Sequence, residues 1–269
     1  MDRKLNALLL FVGVVIFIVS ADPTQQWNIL VGIVLASIFS FGAFVFKGLS
    51  LDGMFSAIVV GIFAFGLGGW KLAVVLVLFF VSSVAISDRP TWGKNNIPEY
   101  SRRDGLQVWA NSFWMVVFLI CSTIFKAPIF LIGAIAAIAT ATSDTWATEL
   151  GSKDRDNTYL ITTFEHVAPG TDGAISVKGT GAALFAAVMI STVSVYVFSL
   201  HLSVFIIILI TAFLGCFIDS YLGAIFQQNK RIVTVPATKV ELKVSNNLVN
   251  TISTGLGGLL AIIFKLFFA

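Results

Sequence analysis

Long apolar runs recur along the whole chain, and they constrain its fold more than any other feature. Nine stretches, at about 5–20, 28–46, 52–67, 70–87, 106–124, 128–150, 179–199, 202–226 and 245–268, approach or reach the roughly 17–25 residues a helix needs to cross a bilayer core. In lipid every backbone N–H and C=O must be paired within the protein, so only helices and closed barrels span it. These runs are too long and too continuous for barrel strands. Charged residues make up 12% of the chain, against roughly 25% in soluble domains, and the mean hydropathy is +0.94. The expectation is an all-α, polytopic transmembrane helical bundle of about nine spans, forming a single integral membrane domain over residues 1–269. No internal repeat, low-complexity tract or soluble domain stands out. The first run follows Arg3 and Lys4 as a signal peptide would, but no small-residue cleavage site follows it, so it reads as a helix. Cys121 and Cys216 lie inside apolar runs and read as small buried hydrophobes.

Lys and Arg set the orientation. With the N-terminus in the cytoplasm and the runs alternating, the inner segments hold Arg3, Lys4, Lys47, Arg89, Lys94, Arg102, Arg103, Lys153, Arg155, Lys178, Lys230, Arg231, Lys239 and Lys243. The outer segments hold Lys71 and Lys126, with Lys265 near the final end, which places the C-terminus outside. Among the acids only Asp22 falls on the outer side, and the outer connections are very short. Groups capable of chemistry therefore gather at one face. A carrier would be expected to hold polar groups at mid-membrane or on both sides. This pattern points to an enzyme in the cell membrane with its site facing the cytoplasm.

The sixth run ends in Ser143-Asp144-Thr145-Trp146-Ala147-Thr148-Glu149-Leu150-Gly151, and an ionised carboxylate at membrane depth is costly enough to imply a cavity and a partner. Asp219 lies about two turns from the inner end of the eighth run, level with Asp144. Gln107, Asn111, Asn246, Asn247, Asn250 and Asp52 fall in the same shallow layer. Carboxylates, amides and hydroxyls without His or Cys suit a hard cation, and beside phosphates that cation is Mg²⁺. Asp144, Glu149 and Asp219 are the candidate metal ligands, and Asp144, Asp219 and Lys178 the candidate catalytic groups. The competing reading makes the acids helix-end charges or structural pairs, and Asn111 and Asn250 interhelical hydrogen-bond partners.

The longest inner loop carries Thr162, Thr163, Thr171, Asp172, Gly173, Ser176, Lys178 and Thr180 into the start of the seventh run. Free N–H groups and the positive dipole end make such a helix start a phosphate seat. No Walker motif is present, so this is not a soluble nucleotide fold. His166 reads as an incidental loop residue. Arg102 and Arg103, beside the fifth run, could clamp phosphate or anchor to anionic lipid.

Three of these stretches carry a resemblance to a known family. They are the Ser143–Gly151 run, Pro169-Gly170-Thr171-Asp172-Gly173-Ala174-Ile175-Ser176 with Gly179-Thr180, and Ile218-Asp219-Ser220-Tyr221-Leu222-Gly223-Ala224 with Gln227. In that order they resemble the phytyl-phosphate kinase family of polytopic membrane proteins. Lys47 with Asp52-Gly53, Gln107-Val108-Trp109-Ala110-Asn111 and Asn247-Leu248-Val249-Asn250 also look like its pattern. The chain is more distantly similar to CTP-using phosphatidate cytidylyltransferases and to phytol and dolichol kinases. It departs from the cytidylyltransferases at Ile161-Thr162-Thr163-Phe164, where they carry a Lys-Lys-Thr-type loop.

The resemblance implies a CTP-dependent kinase that turns a prenyl (phytyl or geranylgeranyl) monophosphate into its diphosphate, with Mg²⁺ as cofactor. It implies that Thr148, Thr162, Thr163, Thr171, Asp172, Gly173, Ser176, Thr180 and Ser220 cradle nucleotide phosphates. Asn111, Asn247, Asn250, Arg102 and Arg103 would orient the metal shell or hold a phosphate. The expected partners are the nucleotide, the lipid substrate and the bilayer, with no nucleic acid. The rivals are a CDP-lipid-forming cytidylyltransferase on the same architecture and a cation-coupled transporter that uses the acids.

Overall fold

The computed structural model describes residues 2–87, 102–154, 157–228, 232–235 and 240–268. Arg89, Lys94, Arg155, Lys230, Arg231 and Lys239, counted above for orientation, lie outside the described residues. Eight helices account for the nine runs: α1 (Asp2–Val19), α2 (Pro23–Val45), α3 (Leu51–Ile86), α4 (Gly105–Phe125), α5 (Ile129–Gly151), α6 (Val177–Phe198), α7 (Leu202–Phe226) and α8 (Asn246–Phe268). Seven of them, α2 to α8, are long and apolar enough to cross a membrane. The protein is an integral, polytopic helical bundle.

Two runs share α3 because its helix is interrupted at Gly69, where φ is 71° and ψ −179°. That is left-handed backbone, which glycine adopts without a Cβ penalty. The two halves double back on each other. Ser50, at the start of α3, donates its N–H to the Arg103 carbonyl (3.0 Å), and the Arg103 guanidinium lies over Phe79 and Phe80 near the other end.

The doubling back of α3 brings the end of α2 and the start of α4 to one face. The α2–α3 and α3–α4 connections meet at a parallel bridge between Leu49 and Arg103. At the opposite face the turns are tight, and the Lys126 Nζ donates to the Ser20 carbonyl (3.2 Å). Asp52 belongs to the first of these faces as a joint. It accepts from the Ser50 hydroxyl and from the Gly105 N–H (2.8 Å), tying the starts of α3 and α4 together.

Two short antiparallel hairpins interrupt the helical plan: β1 (Thr158–Leu160) with β2 (Ala174–Ser176), and β3 (Ile232–Val235) with β4 (Val240–Lys243). Pieces of three and four residues produce no periodicity that apolar patterning could detect. The first hairpin folds the long loop against the bundle and delivers Ser176 as N-cap of α6, its Oγ accepting from the Gly179 N–H (3.0 Å).

α5 is the central helix, packed on α3, α4, α6, α7 and α8. Every residue from Ile132 to Asp144 is buried. Its Ala, Gly, Ser and Thr content explains this, because without a water-driven hydrophobic effect membrane helices associate where small residues let backbones approach. Thr140 sits between two such approaches. A Cβ on Gly215 of α7 would come within 2.5 Å of the Thr140 Cγ2, and one on Gly257 of α8 would overlap the Thr140 hydroxyl.

Candidate active site

Asp144 and Asp219 lie on the directly packed helices α5 and α7, each seven residues from the end of its helix, about 10 Å below it. Their carboxyl groups are within hydrogen-bonding reach of each other, and both are buried. α8 completes the arrangement. The Ser253 Oγ donates to the Asp219 Oδ1 (2.8 Å), and the Asn250 amide, turned to donate, reaches the same oxygen (3.3 Å) and the Asn246 carbonyl (2.9 Å). Two carboxylates held this close in a low-dielectric site repel unless a cation or a proton lies between them. Cys216 and Asp172 line the same cleft, but among the described residues no third acid, His or Cys joins the pair in a group that could hold a metal ion.

The pair forms the floor of a cleft of about 130 Å³. Its walls are the last turns of α5 and α7, the 170–176 loop and the first turn of α6. Thr148, Thr171, Asp172, Gly173, Ser176, Thr180 and Ser220 all line it. Gly173 shows how the wall is made. Its φ is 79°, and a Cβ there would collide with the backbone and side chain of Ala224. Both demands select glycine. Gly173→Ala is expected to lower folding stability by about 2 kcal/mol by lifting the loop off α7. Thermal unfolding in detergent would measure this, and an unchanged midpoint would remove glycine's structural role.

Other expected residues are brought elsewhere. Glu149 accepts from the Ser87 Oγ (3.1 Å) at the end of α3 and is not part of the cleft. Five residues separate it from Asp144, which is about 140° around a helix, so the two cannot share a face. The three-carboxylate metal set is therefore not assembled. Lys178 points away as well. Its Nζ pairs with the Asp154 Oδ1 (3.7 Å), and Asp154 is buried beside the α6 start, where its Oδ2 also accepts the Lys178 N–H (3.4 Å). The carboxylate thus occupies the outer flank of the phosphate seat. Thr162 and Thr163 are exposed on the β1–β2 connection, where the Thr163 hydroxyl donates to Glu165 (3.1 Å). Asn247 is half-buried and outside the cleft, its carbonyl accepting from Thr251 (2.7 Å). Arg103 and Asn111 line a different cavity, between α2, α3 and α4, and Arg102 joins neither.

Two contributors were not singled out in the sequence. Ser253 lies three residues after Asn250, so both face α7 from one side of α8; that spacing was the available signal. Asp154 sits in a charged loop segment, and only the fold reveals its burial.

Comparison with known proteins places this architecture. Residues 32–258 match the family described as integral membrane protein DUF92. A membrane protein of Methanocaldococcus jannaschii is 32% identical over 216 residues, 79% of this chain and 84% of that protein. A membrane protein of Synechocystis is 30% identical over 76% of this chain and 78% of its own length. The chloroplastic protein VTE6 of Arabidopsis thaliana is 28% identical over 52% of this chain and 40% of its own length. No solved structure matches the chain.

Proposed function

The chain belongs to the integral membrane family DUF92, and we propose that within it this protein is a CTP-dependent prenyl monophosphate kinase working from the cytoplasmic face of the cell membrane. The observation that carries the proposal is the buried Asp144–Asp219 pair under a Thr- and Gly-lined cleft at the α6 N-terminus. The motif resemblance to phytyl-phosphate kinases supplies the substrate class.

The donor set fits Mg²⁺, which takes one or two carboxylates plus substrate phosphates and keeps several waters. Asp144 and Asp219 would hold it, and the ion would supply charge neutralisation at the nucleotide phosphates. Ser253 and Asn250 fix the Asp219 carboxylate through the hydrogen bonds given above. Thr171, Ser176 and Thr180 offer hydroxyls, and the start of α6 offers its positive dipole end, to the phosphates of CTP. A lipid monophosphate has its second pKa near 6, so at neutral pH it is already a dianion and needs no general base. One of its oxygens attacks the γ-phosphorus, the bond from that phosphorus to the bridging oxygen breaks, and CDP leaves with the electron pair. Catalysis of this kind is positioning and charge stabilisation.

Purified protein supplied with Mg²⁺, CTP and geranylgeranyl or phytyl monophosphate is expected to give the prenyl diphosphate and CDP on one chromatogram. A CDP-lipid with pyrophosphate would replace this reading with cytidylyl transfer. Ion or solute flux in proteoliposomes without either product would replace it with transport. Lys178→Met is expected to keep turnover within about threefold, since its ammonium serves the Asp154 pair outside the cleft. A loss of a hundredfold or so would return Lys178 to the phosphates.

A further inference from the structure

The described residues form a second cavity, of about 530 Å³, between α2, the two halves of α3 and the first half of α4. Its size lies within the roughly 300–1,000 Å³ of small-molecule sites. Its walls are almost wholly apolar: Val60, Ala64, Phe65, Val77 and Phe80 are representative. On α3 the lining extends from Trp70 to Phe80, about 15 Å of helix, or half the hydrocarbon thickness of a bilayer. Ile38, Trp70 and Val74 line it and are also exposed, so the cavity opens at the outer surface of the bundle.

The charged and amide groups of this cavity are grouped, and the hydroxyls of Ser40 and Ser112 are its other polar side-chain groups besides the Trp70 indole. Arg103, Gln107 and Asn111 stand at its α4 end, within the first turns of that helix or just before it, on the face that carries the long connections. The Arg103 guanidinium lies over the rings of Phe79 and Phe80 at 5.8 and 5.9 Å, which aims a fixed cation at that end. The Asn111 Oδ1 is buried and has no hydrogen-bond partner. A buried polar atom of this kind is normally satisfied, so it marks a place for a ligand group or water. An apolar tube with a cation at one end matches one chemistry, a hydrocarbon chain carrying an anionic head. α4 separates this cavity from the Asp144–Asp219 cleft: the Thr254 hydroxyl of α8 reaches the Ala110 carbonyl (3.5 Å), while the neighbouring Asn111 faces the cavity.

We infer that the α2–α3–α4 cavity holds the chain of the single-chain lipid monophosphate acceptor, with its phosphate end at Arg103, Gln107 and Asn111 beside the start of α4. This rests on the kinase reading for the acceptor's identity and goes beyond it in giving the acceptor's chain a site of its own outside the nucleotide cleft, with only its phosphate end turned to the face on which that cleft opens.

The test has a binding arm and a kinetic arm. Protein in phosphatidylcholine nanodiscs is labelled with a geranylgeranyl monophosphate analogue bearing a diazirine on its chain, and the labelled peptides are mapped. Labelling is expected within 57–80, competed by excess geranylgeranyl monophosphate but not by phosphatidylglycerol, and weakened in Arg103→Gln. Labelling spread over the outer faces of the helices would overturn the inference. So would equal competition by phosphatidylglycerol, which would make the cavity a seat for bulk lipid. In the kinetic arm, Ala57→Phe and Ala73→Phe fill the cavity from two sides, in case one of them fails to fold. Each is expected to raise KM for geranylgeranyl monophosphate about tenfold while leaving kcat/KM for the short dimethylallyl monophosphate within about twofold. An equal loss on both acceptors would assign the cavity a structural role and overturn the inference. If no acceptor is turned over by the parent protein, the kinase reading fails, and the labelling arm still decides whether the cavity takes a lipid monophosphate.

Discussion

Asp144→Asn and Asp219→Asn are each expected to lower turnover by about 10³-fold or more while leaving the bundle folded. Asparagine keeps the shape of the side chain, and at position 219 its Oδ1 still accepts the Ser253 hydrogen bond. What is lost is negative charge at the floor of the cleft, and with it the site for a hard cation. Because the two carboxyls face each other in a buried place, removing one charge relieves repulsion. Thermal unfolding in detergent should therefore be unchanged or shifted upward. Residues that act as one unit are non-additive, so the double variant should be no slower than the worse single one. Mn²⁺ binding, followed by electron paramagnetic resonance, should disappear in either variant independently of activity. Full turnover in either single variant would break the metal assignment. Turnover lost with Mn²⁺ binding intact would move both residues from metal ligation to another role.

Gly257→Leu should produce the largest structural effect. A side chain at 257 meets Thr140, which Gly215 of α7 already crowds from the other flank, and Thr140 lies one turn from Asp144. A leucine there forces α8 away from α5, carrying Asn250 and Ser253 off Asp219. The expected cost is about 3 kcal/mol of folding stability, together with most of the activity. The mechanism has its own control. Thr140→Gly opens space on the other side of the contact, so Thr140→Gly with Gly257→Leu should recover about 1–2 kcal/mol relative to the sum of the single effects. Thermal and denaturant unfolding of the four proteins measures that coupling. Strict additivity would mean that the two positions do not meet, and α8 would then not be positioned through Thr140.

The pairing of Asp144 with Asp219 was legible without coordinates. Depth in a membrane follows from counting residues to the end of a span, and both aspartates stand seven residues from theirs. The Thr171–Ser176 wall was only a weak signal as a Gly- and Thr-rich loop entering a helix, and the family resemblance is what singled out its residues. Glu149 was harder to place. Five positions after Asp144 it shares depth and motif, but the turn of the helix sends it toward Ser87. Lys178 was expected at the phosphates because it opens α6, yet Asp154, 24 residues earlier, claims its ammonium. Asn111 was expected in the same polar layer as the aspartates and Arg103 on a phosphate or anionic lipid beside it, and α4 directs both to the neighbouring apolar cavity.

The division has a physical cause. Hydropathy, run length and Lys/Arg placement are local properties of a chain in a bilayer, so the sequence alone determined that this protein is a helical membrane bundle, and it led us to expect the acids at one face. Which side chains meet depends on how each helix is rotated against its neighbours, and small residues such as Gly215 and Gly257 set that rotation by close approach to Thr140. Only the tertiary structure could therefore decide that two carboxylates, not three, share the cleft floor. It alone decided that the lysine faces away, and that a second, apolar chamber with an arginine at its end lies behind α4.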